Sequence, residues 1–279
     1  MKLYYIQGGH NFGDDLNPWI WDRVLPNIFD HNARTLFVGI GTLLNDTLPR
    51  ARKTVVFGSG VGYGRGLPEV DPSTWKIYCL RGPLSARALG LPHSLAVTDS
   101  AALVRHMPDL PAPQALAKAA YLPHRLVAHA GWNDICAEAG LAYIDPRWPV
   151  ERVLAAIRGT DVLLTGALHG AIVADALGVP WIPVQARPII YPFKWDDWCA
   201  SIGLTYEPNR TVPLWPLSKN ASICERIRHH LKWRLVAREL ARIAKTVKPS
   251  LSHRSAALVD ELQERLQHFK RDAQRGRFN

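Results

Sequence analysis

The feature that most constrains the fold of this chain is a repeated alternation of short apolar segments with glycine-containing turns and helical stretches. Strands are predicted in the first half at residues 3–7, 35–40, 54–57, 75–80 and 95–98. In the second half they are predicted at residues 119–122, 141–144, 161–165 and 180–184. Helices are predicted between them, including one from about residue 17 to 25 and one at residues 171–177. Continuous apolar strands joined through helices indicate a parallel sheet with both faces covered.

A proline-rich segment at residues 109–113, Asp-Leu-Pro-Ala-Pro, separates the two runs of strands and is typical of a linker. We therefore predict an α/β protein with two facing, doubly wound Rossmann-like domains, residues 1–112 and 113–224, and a helical tail, residues 225–279. In open parallel sheets, ligands bind beyond the carboxyl ends of the strands. Functional residues are therefore expected in the turns that lead from a strand into a helix.

The composition is that of a globular protein from a reducing compartment. Hydrophobic residues make up 47% of the sequence and charged residues 21%, which is enough to build a core. No apolar run approaches the ~20 residues that span a bilayer, and the first strand meets Gly8 and Gly9 too early for a secretion signal. The four cysteines stand far apart without a CxxC pair, so neither a zinc knuckle nor a redox motif is predicted. We expect a cytoplasmic protein.

Most of the net charge of +10 lies in the tail, where residues 225–279 hold 14 Lys and Arg against 6 Asp and Glu. Two amphipathic helices are predicted there. The apolar face of the first is Ile227, Leu231, Leu235, Leu240 and Ile243, and that of the second is Leu258, Leu262, Leu266 and Phe269. The basic faces are either solvated, with the apolar faces docked on the body, or attached to an anionic membrane surface. Nucleic acid is not expected, because no recognised binding motif accompanies the helices.

Three turns of the first half carry residues suited to chemistry. At residues 11–15, Asn-Phe-Gly-Asp-Asp, the carboxylates either cap a helix or orient and deprotonate a hydroxyl, and the glycine lets a ligand approach closely. The glycine-rich run at residues 58–64 is suited to cradling a phosphate or a sugar. Arg81, before a helix, either forks onto a carboxylate or phosphate or is simply solvated.

Two segments of the second half are suited to binding an anion. His169 lies at or just before the start of a helix, where main-chain amides favour an anion and the imidazole can donate to it or move a proton. The alternative is an imidazole that only bonds a neighbouring carbonyl. In residues 187–198, Arg187 and Lys194 could close over the anion, while Trp195 and Trp198 are expected to pack beneath the loop.

Taken in order, these turns resemble the polysaccharide pyruvyl transferase family. The matching pieces are Asn11-Phe12-Gly13-Asp14-Asp15, Gly58-Ser59-Gly60, residues 79–85, residues 99–103, Leu122-Pro123-His124 and Leu168-His169-Gly170. Residues 11–21 and 37–42 resemble in particular the succinoglycan-type branch of ketal-forming enzymes. The resemblance covers about residues 1–205 and leaves the tail outside.

The resemblance implies a GT-B-like fold and transfer of pyruvate from phosphoenolpyruvate, as donor substrate, to two hydroxyls of one sugar as a cyclic ketal. No redox cofactor is implied, and no metal cluster is evident in the sequence. The implied catalytic residues are His169, Asp14 and Asp15. The implied donor-binding residues are Arg81, His124, Leu168, Gly170, Arg187 and Lys194. The implied acceptor-binding residues are Asn11, Gly13, Ser59 and Gly60.

The chain departs from the family's pattern at one position. The family usually has Arg-Leu-His-Gly around the histidine, and here Ala167 stands in the place of the arginine. We expect Arg81, Arg187 or Lys194 to compensate for it. The alternative is that the chain has drifted toward another donor.

Two other functions stay open on the sequence. A GT-B glycosyltransferase that uses a nucleotide sugar explains the same topology and the same glycine-rich turns. A non-catalytic glycan-binding subunit is favoured by Ala167. The partners expected under the main hypothesis are phosphoenolpyruvate and a sugar acceptor, in an exopolysaccharide or a lipid-linked oligosaccharide, with peripheral attachment to the inner face of the cell membrane. The sequence does not decide whether the protein forms a homo-oligomer.

Overall fold

The structure is a computed structural model that describes residues 1–30, 32–129, 131–187, 191–218, 220–246 and 252–278. Within it the chain forms two compact units. Unit 1 consists of Met1–Asp109, Tyr191–Tyr206 and Leu251–Asn279, and unit 2 consists of Leu110–Ile190 and Glu207–Ser250. The first segment of unit 1 therefore ends at Asp109, and the predicted boundary is after residue 112.

Nine strands and eight α-helices are found in the described part of the chain. The strands are β1 (Lys2–Tyr4), β2 (Thr35–Val38), β3 (Lys53–Phe57), β4 (Trp75–Cys79), β5 (Ala119–Leu122), β6 (Ala142–Tyr143), β7 (Val162–Thr165), β8 (Trp181–Gln185) and β9 (Asn209–Arg210). The helices are α1 (Phe12–Val24), α2 (Pro83–Ala88), α3 (Gly131–Ala139), α4 (Val150–Arg158), α5 (Leu168–Ala176), α6 (Phe193–Ser201), α7 (Ile223–Ile243) and α8 (Ser252–Gln274).

Each unit is built on its own parallel sheet, as the apolar strands predict. Unit 1 has the strand order β1-β2-β3-β4, and unit 2 has the order β6-β5-β7-β8-β9. All of these strands pair in parallel. In unit 1, Phe37 of β2 is fully buried and contacts Trp21 of α1 and Phe269 of α8, at ring-centroid distances of 4.7 and 5.3 Å. Helices thus cover the sheet, and the α/β class of the prediction is confirmed.

The predicted strand at residues 95–98 is wrong. His93–Leu95 forms a 3-10 turn, and only a single bridge joins Ala96 to Leu80. Two elements were not predicted at all: β9, and α6 within the segment that follows β8. Residues 188–190 of that segment lie outside the described residues.

Helix α1 begins five residues earlier than predicted, so Pro18 lies inside it instead of in its first turn. A proline inside a helix cannot donate to the carbonyl four residues before it. Here that carbonyl belongs to Asp14, and the Asn17 side chain donates to it instead, at 3.3 Å. The same amide side chain pairs with both main-chain polar groups of Ile40, at 2.9 and 3.0 Å. Asn17 therefore repairs the helix and holds it against the end of β2.

The two helices predicted for the tail, residues 225–279, lie in different units. Helix α7 belongs to unit 2, whereas α8 belongs to unit 1. Tyr78 of β4 donates to Asp272 of α8 at 2.6 Å, and Phe269 and Leu262 of α8 are fully buried. The α8 helix is therefore part of the core of unit 1, because its apolar face covers the sheet.

The predicted apolar face of α7 is also wrong. Leu240 and Ile243 are fully buried, but Ile227, Leu231 and Leu235 are 56%, 62% and 45% exposed. At about 100° per residue, the first pair and the last three lie on different sides of the helix. Of the helices in the described residues, none is both long and apolar enough to cross a membrane.

Candidate functional site

In unit 1 the first polar turn lies between β1 and α1. The carbonyl of Asn11 accepts from the amides of Asp14 and Asp15, each at 2.9 Å. Its side-chain amide donates to Oδ2 of Asp14 at 2.7 Å. Both carboxylates lie half-buried in the first turn of α1, beside the buried Gly13, at the positive end of the helix dipole. The turn starts a helix, as predicted, and it holds Asp14 in a fixed orientation.

Arg81 lies at the end of β4 and is fully buried, which neither sequence-based interpretation anticipated. Its Nε donates to Oδ2 of Asp197 at 2.9 Å. Its other two nitrogens donate to Oγ1 of Thr42 at 2.7 Å and to the carbonyl of Val61 at 3.1 Å. All three guanidinium nitrogens of Arg81 thus donate within the protein, in an ion pair with Asp197, and the contact of Arg81 with a donor anion stays a prediction.

Asp197 completes this network from helix α6. Its Oδ1 accepts from the amide of Ser85 at 2.9 Å, and its Oδ2 accepts from the Ser85 hydroxyl at 2.5 Å. The Ser85 hydroxyl in turn accepts from the amide of Val61 at 2.9 Å. A buried carboxylate is tolerated where several donors satisfy it, and three donors meet this one. The ion pair therefore fixes the turns after β3 and β4 against α6.

The glycine-rich turn after β3 serves the same network. The hydroxyl of Ser59 is buried and donates to the carbonyl of Gly41 at 3.0 Å. A Cβ on Gly60 would lie 2.2 Å from Cζ of Arg81. Gly60 is thus needed for the arginine to pack, and the acceptor contacts of Ser59 and Gly60 stay predictions.

Lys194 is the centre of a partly buried group of side chains in unit 1. Its Nζ donates to the Tyr63 hydroxyl at 2.6 Å, and the Tyr63 backbone has a φ of 61°. Burial, with a smaller contribution from Arg81, lowers the pKa of Lys194 to about 8, while Asp14 opposes the shift. Tyr63 is 48% exposed, so the group reaches the surface. The cluster offers an amine that changes charge near neutral pH, a phenol and a carboxylate.

Asp99 is a second buried carboxyl close to Arg81. Burial raises its pKa to about 7, although the amide of Ala101 donates to it at 2.9 Å and Arg81 partly offsets the shift. Desolvation disfavours the charged form of a carboxyl, which is the dominant cause here. Asp99 follows the bridge to β4 and caps the 3-10 turn Ser100–His106.

In unit 2 the polar turn lies between β7 and α5. The helix begins at Leu168, so His169 is in its first turn and not before it. No acidic residue and no side-chain cap lies at this helix start, and the Thr165 hydroxyl accepts from the Ala167 amide at 3.0 Å. A Cβ on Gly170 would lie 2.5 Å from Leu122, which explains the glycine. The first turn of α5 thus contributes no carboxylate of its own to the positive end of the helix dipole.

The turn after β5 lies against the turn after β7. Because β5 and β7 are neighbours, the carboxyl ends of both strands meet, and the amide of Gly166 donates to the carbonyl of Leu122 at 2.9 Å. A Cβ on Gly166 would lie 3.1 Å from the amide nitrogen of His124. The half-buried His124 ring accepts from the amide of Leu126 at 3.3 Å through Nδ1. The structure therefore brings the predicted His124 and Leu168–Gly170 pieces to one sheet edge.

Arg187 follows β8, the next strand along that edge. Its Nη2 donates to the carbonyl of Leu214 at 3.0 Å, and its guanidinium lies 4.9 Å from the ring centroid of Trp215. Burial lowers the pKa of His129, and the positive charge of Arg187 lowers it further. Arg187 and His129 therefore lie near one another in unit 2, whereas Lys194 and Arg81 belong to unit 1.

Sequence reasoning missed Asp197, Tyr63, Asp99 and His129. Asp197 and Asp99 lie in segments that the sequence analysis names, residues 187–198 and 99–103. Their importance comes from burial beside Arg81 and main-chain amides, which sequence spacing does not predict. Tyr63 stands between two glycines, which is a signal for its left-handed backbone. Trp195 and Trp198 are buried, at 0% and 1% exposure, which confirms that they pack. Among the residues described, no group of His, Cys, Asp and Glu is arranged to hold a metal ion.

Two comparisons with known proteins agree with these turns. Residues 2–185 match the family described as polysaccharide pyruvyl transferase. The chain is also 43% identical over 218 residues to "Succinoglycan biosynthesis protein ExoV" of Rhizobium meliloti (strain 1021), a match that covers 77% of this chain and 68% of that protein. The family match includes the turns of Asp14, Arg81, His124 and His169, and it ends before Arg187.

Proposed function

The chain belongs to the polysaccharide pyruvyl transferase family, and on that premise we propose that it transfers pyruvate from phosphoenolpyruvate to two hydroxyls of one sugar, forming a cyclic ketal. Membership of the family means that the chain is an enzyme that transfers pyruvyl groups to polysaccharide. The proposal adds phosphoenolpyruvate as the donor, the cyclic ketal as the product and the residues that take part. The observation that carries it is the start of α5, where His169 lies in the first turn of a helix without a carboxylate of its own.

The donor side of the proposal is in unit 2. Phosphoenolpyruvate carries a phosphate and a carboxylate, and a helix start binds anions through its amides and its dipole. Leu168, His169 and Gly170 supply those amides. Arg187, at the end of the adjacent β8, is the described arginine that we propose to stand in for the family's arginine at Ala167. His124 lies beside the same turn and supplies a further donor.

On the donor side, the reaction requires that the protein supply one proton-donating group and one anion-binding site. Protonation of the methylene carbon of phosphoenolpyruvate generates an oxocarbenium-like centre at the neighbouring carbon. One sugar hydroxyl adds to that carbon and loses its proton, and the carbon–oxygen bond to phosphate breaks. The second hydroxyl then adds with loss of its proton and closes the ketal. We propose His169 as the proton donor or phosphate partner, because an imidazole serves both roles near neutral pH.

The acceptor side of the proposal is in unit 1. The two hydroxyls each lose a proton, so groups that accept protons near neutral pH are required. Asp14 is held by Asn11, and Lys194 has a pKa of about 8 beside the Tyr63 hydroxyl. We assign Asp14 and Lys194 to these protons, with Asp15 in support. This assignment replaces the expected donor contact of Lys194.

The proposal extends to the arrangement of the protein and to its acceptor. A GT-B-like arrangement of the two units follows from the family resemblance, and its support is that each unit has its own parallel sheet. The acceptor is a sugar of an exopolysaccharide or of a lipid-linked oligosaccharide. A lipid-linked acceptor would keep the protein at the cytoplasmic face of an anionic membrane.

A phosphate-release assay with phosphoenolpyruvate and a panel of lipid-linked oligosaccharides tests the function. We expect release that depends on the acceptor and matches the ketal formed, with no free pyruvate. His93→Ala, at an exposed histidine of unit 1, serves as the matched control for His169→Ala. Thermal protection by a nucleotide sugar and not by phosphoenolpyruvate would instead support a glycosyltransferase. Glycan binding without phosphate release would support a non-catalytic subunit, and either result would refute the proposal.

A further inference from the structure

The amino-terminal part of α7 differs from the other helices in carrying a row of exposed aliphatic side chains. Ile223, Ile227, Leu231 and Leu235 follow one another at intervals of four and are 76%, 56%, 62% and 45% exposed. We call these four residues the α7 stripe. Successive members are rotated by about 40°, so the stripe covers roughly 120° of the helix surface. Single exposed aliphatics are ordinary on proteins, but a contiguous row marks an interaction surface.

The helix is well formed even though this part is exposed. Ser222 and Glu225 form a reciprocal cap, with the Ser222 hydroxyl accepting from the Glu225 amide at 3.3 Å and the Glu225 carboxylate accepting from the Ser222 amide at 2.8 Å. The opposite end is anchored, because Val236, Leu240 and Ile243 are buried in the core of unit 2. The stripe is therefore presented on a capped helix that is fixed at its far end.

The charge around the stripe is mostly positive, which favours an anionic partner. The thirteen residues from 223 to 235 contain four basic residues, Arg226, Arg228, Lys232 and Arg234, and one acidic residue, Glu225. On a helical projection, Arg228 lies at one edge of the stripe with Lys232 beyond it, and Arg226 lies beyond the other edge. Arg234 projects within the arc of the stripe and pairs with Glu138 of α3 at 3.5 Å. An apolar stripe edged by basic residues is the pattern of a helix that lies in the interface of an anionic bilayer.

Helix α8, the other helix of the tail, lacks this pattern. The net charge of α8 is zero, because four Lys and Arg balance four Asp and Glu in Ser252–Gln274. Its apolar residues Val259, Leu262 and Phe269 are all fully buried. By contrast, α7 has six Lys and Arg against two Asp and Glu in Ile223–Ile243. The basic charge and the exposed apolar surface of the tail therefore coincide on one helix.

We propose that the α7 stripe inserts into the surface of an anionic lipid bilayer, with the flanking basic side chains on the lipid headgroups. A second copy of the chain fits less well, because pairing two stripes would bring two positively charged helix faces together. Nucleic acid would engage the basic residues and leave the aliphatic row in water. The inference rests on the membrane attachment proposed above, and it names the element responsible.

Vesicle co-sedimentation of the full chain tests the inference. The vesicles are phosphatidylcholine with or without phosphatidylglycerol, at low and high salt. The stripe variant is Ile227→Gln with Leu231→Gln, and its matched control is Leu67→Gln with Leu116→Gln, two leucines exposed to 48% and 39% elsewhere. The charge variant is Arg228→Gln with Lys232→Gln. Thermal melting of every variant reports whether it folds.

The wild type and the matched control should sediment with anionic vesicles at low salt. The stripe variant should lose at least ~10-fold in partition with an unchanged melting temperature, because both side chains are solvated in the free protein. The charge variant should lose binding mainly at low salt, where unscreened attraction counts most.

Three outcomes would overturn the inference. In the first, the wild-type protein stays in the supernatant with anionic vesicles at low salt. In the second, the stripe variant binds vesicles as the wild type does. In the third, the stripe variant changes only the oligomeric state or only the binding of single-stranded nucleic acid. Transfer to a water-soluble acceptor is measured in parallel. If transfer is absent while stripe-dependent vesicle binding persists, the proposed function fails and the membrane inference stands.

Discussion

The turn of Arg81 in unit 1 and the turn of His169 in unit 2 both lie where a parallel strand leads into a helix, yet their charges are treated in opposite ways. The Arg81 guanidinium is fully buried and paired with Asp197, Thr42 and Val61. The helix start that holds His169 has no acidic partner of its own. A guanidinium group satisfied by the protein is suited to a scaffold, whereas a helix start without a carboxylate of its own is suited to an incoming anion. We therefore propose that the same motif position is structural in one unit and functional in the other.

The largest expected effect tests the functional side of this comparison. His169→Ala should lower the rate of transfer by about 10²–10⁴-fold, the range typical for loss of a general acid. The fold should survive, because His169 is only half-buried in the first turn of α5. Steady-state phosphate release measures the loss, and circular dichroism reports the fold. A variant with near-normal turnover, or one that unfolds, would remove His169 from the chemistry.

The second effect tests the structural side. Arg81→Met should lower the free energy of unfolding by about 3–5 kcal/mol, because it leaves the Asp197 carboxylate buried without its charge partner. Urea denaturation measures the change. Adding Asp197→Leu should recover part of the loss, since replacing both charges removes the unpaired one. If Arg81→Met were stable and instead weakened the binding of phosphoenolpyruvate, the two turns would not differ as described.

A smaller effect sharpens the role of the glycine turn in the Arg81 scaffold. Gly60→Ala should cost about 1–3 kcal/mol, because its new methyl group would meet the locked guanidinium at 2.2 Å. Gly66→Ala is the matched control, since the nearest atom to its added Cβ is in Asp46 at 3.8 Å. Equal stability of the two variants in urea would show that Arg81 can shift easily and is not locked.

The strands and turns of both sites could be predicted from the sequence because their signals are local. An apolar run that ends in a glycine turn needs only its neighbours to be recognised, and the turns of Asp14 and His169 were found in this way. The partner of Arg81 could not be predicted from local signals, because Asp197 lies 116 residues away in the sequence. It stands on α6, in a later segment of the chain that belongs to unit 1. Long-range pairing decides burial, and burial decides whether an arginine is a ligand or a support.

The tail shows the same limit. Helical periodicity predicted two amphipathic helices correctly, but it could not tell which side of each one would be covered. The covered side of α7 is set by contacts with α3 and the sheet of unit 2, so Ile227 and Leu231 fall outside it. In α8 the covered side coincides with the predicted one: Leu262 and Phe269 are buried, and the Phe269 ring contacts Phe37 and Tyr78 of the unit 1 sheet.

The smallest expected effect is in the pH dependence of transfer, and it tests whether Lys194 of unit 1 takes part in the chemistry. The pKa of Lys194 is lowered to about 8, chiefly because the charged amine is buried. The neutral fraction of such an amine rises about tenfold between pH 7 and pH 9, so a rate that depends on Lys194 as a base should rise over the same interval.

Lys194→Met should therefore remove this alkaline rise from the pH profile of transfer, beyond any uniform loss of rate. Stability should move in the matching direction. A lysine with a lowered pKa in the folded state opposes folding below about pH 8, because the unfolded chain then binds the proton more readily. The wild type should thus gain stability relative to Lys194→Met as the pH rises from about 8 toward the ordinary lysine pKa of ~10.4. A pH–stability difference without a change in the shape of the rate profile would assign Lys194 to the scaffold, beside Arg81, and would leave Asp14 as the acceptor-side base.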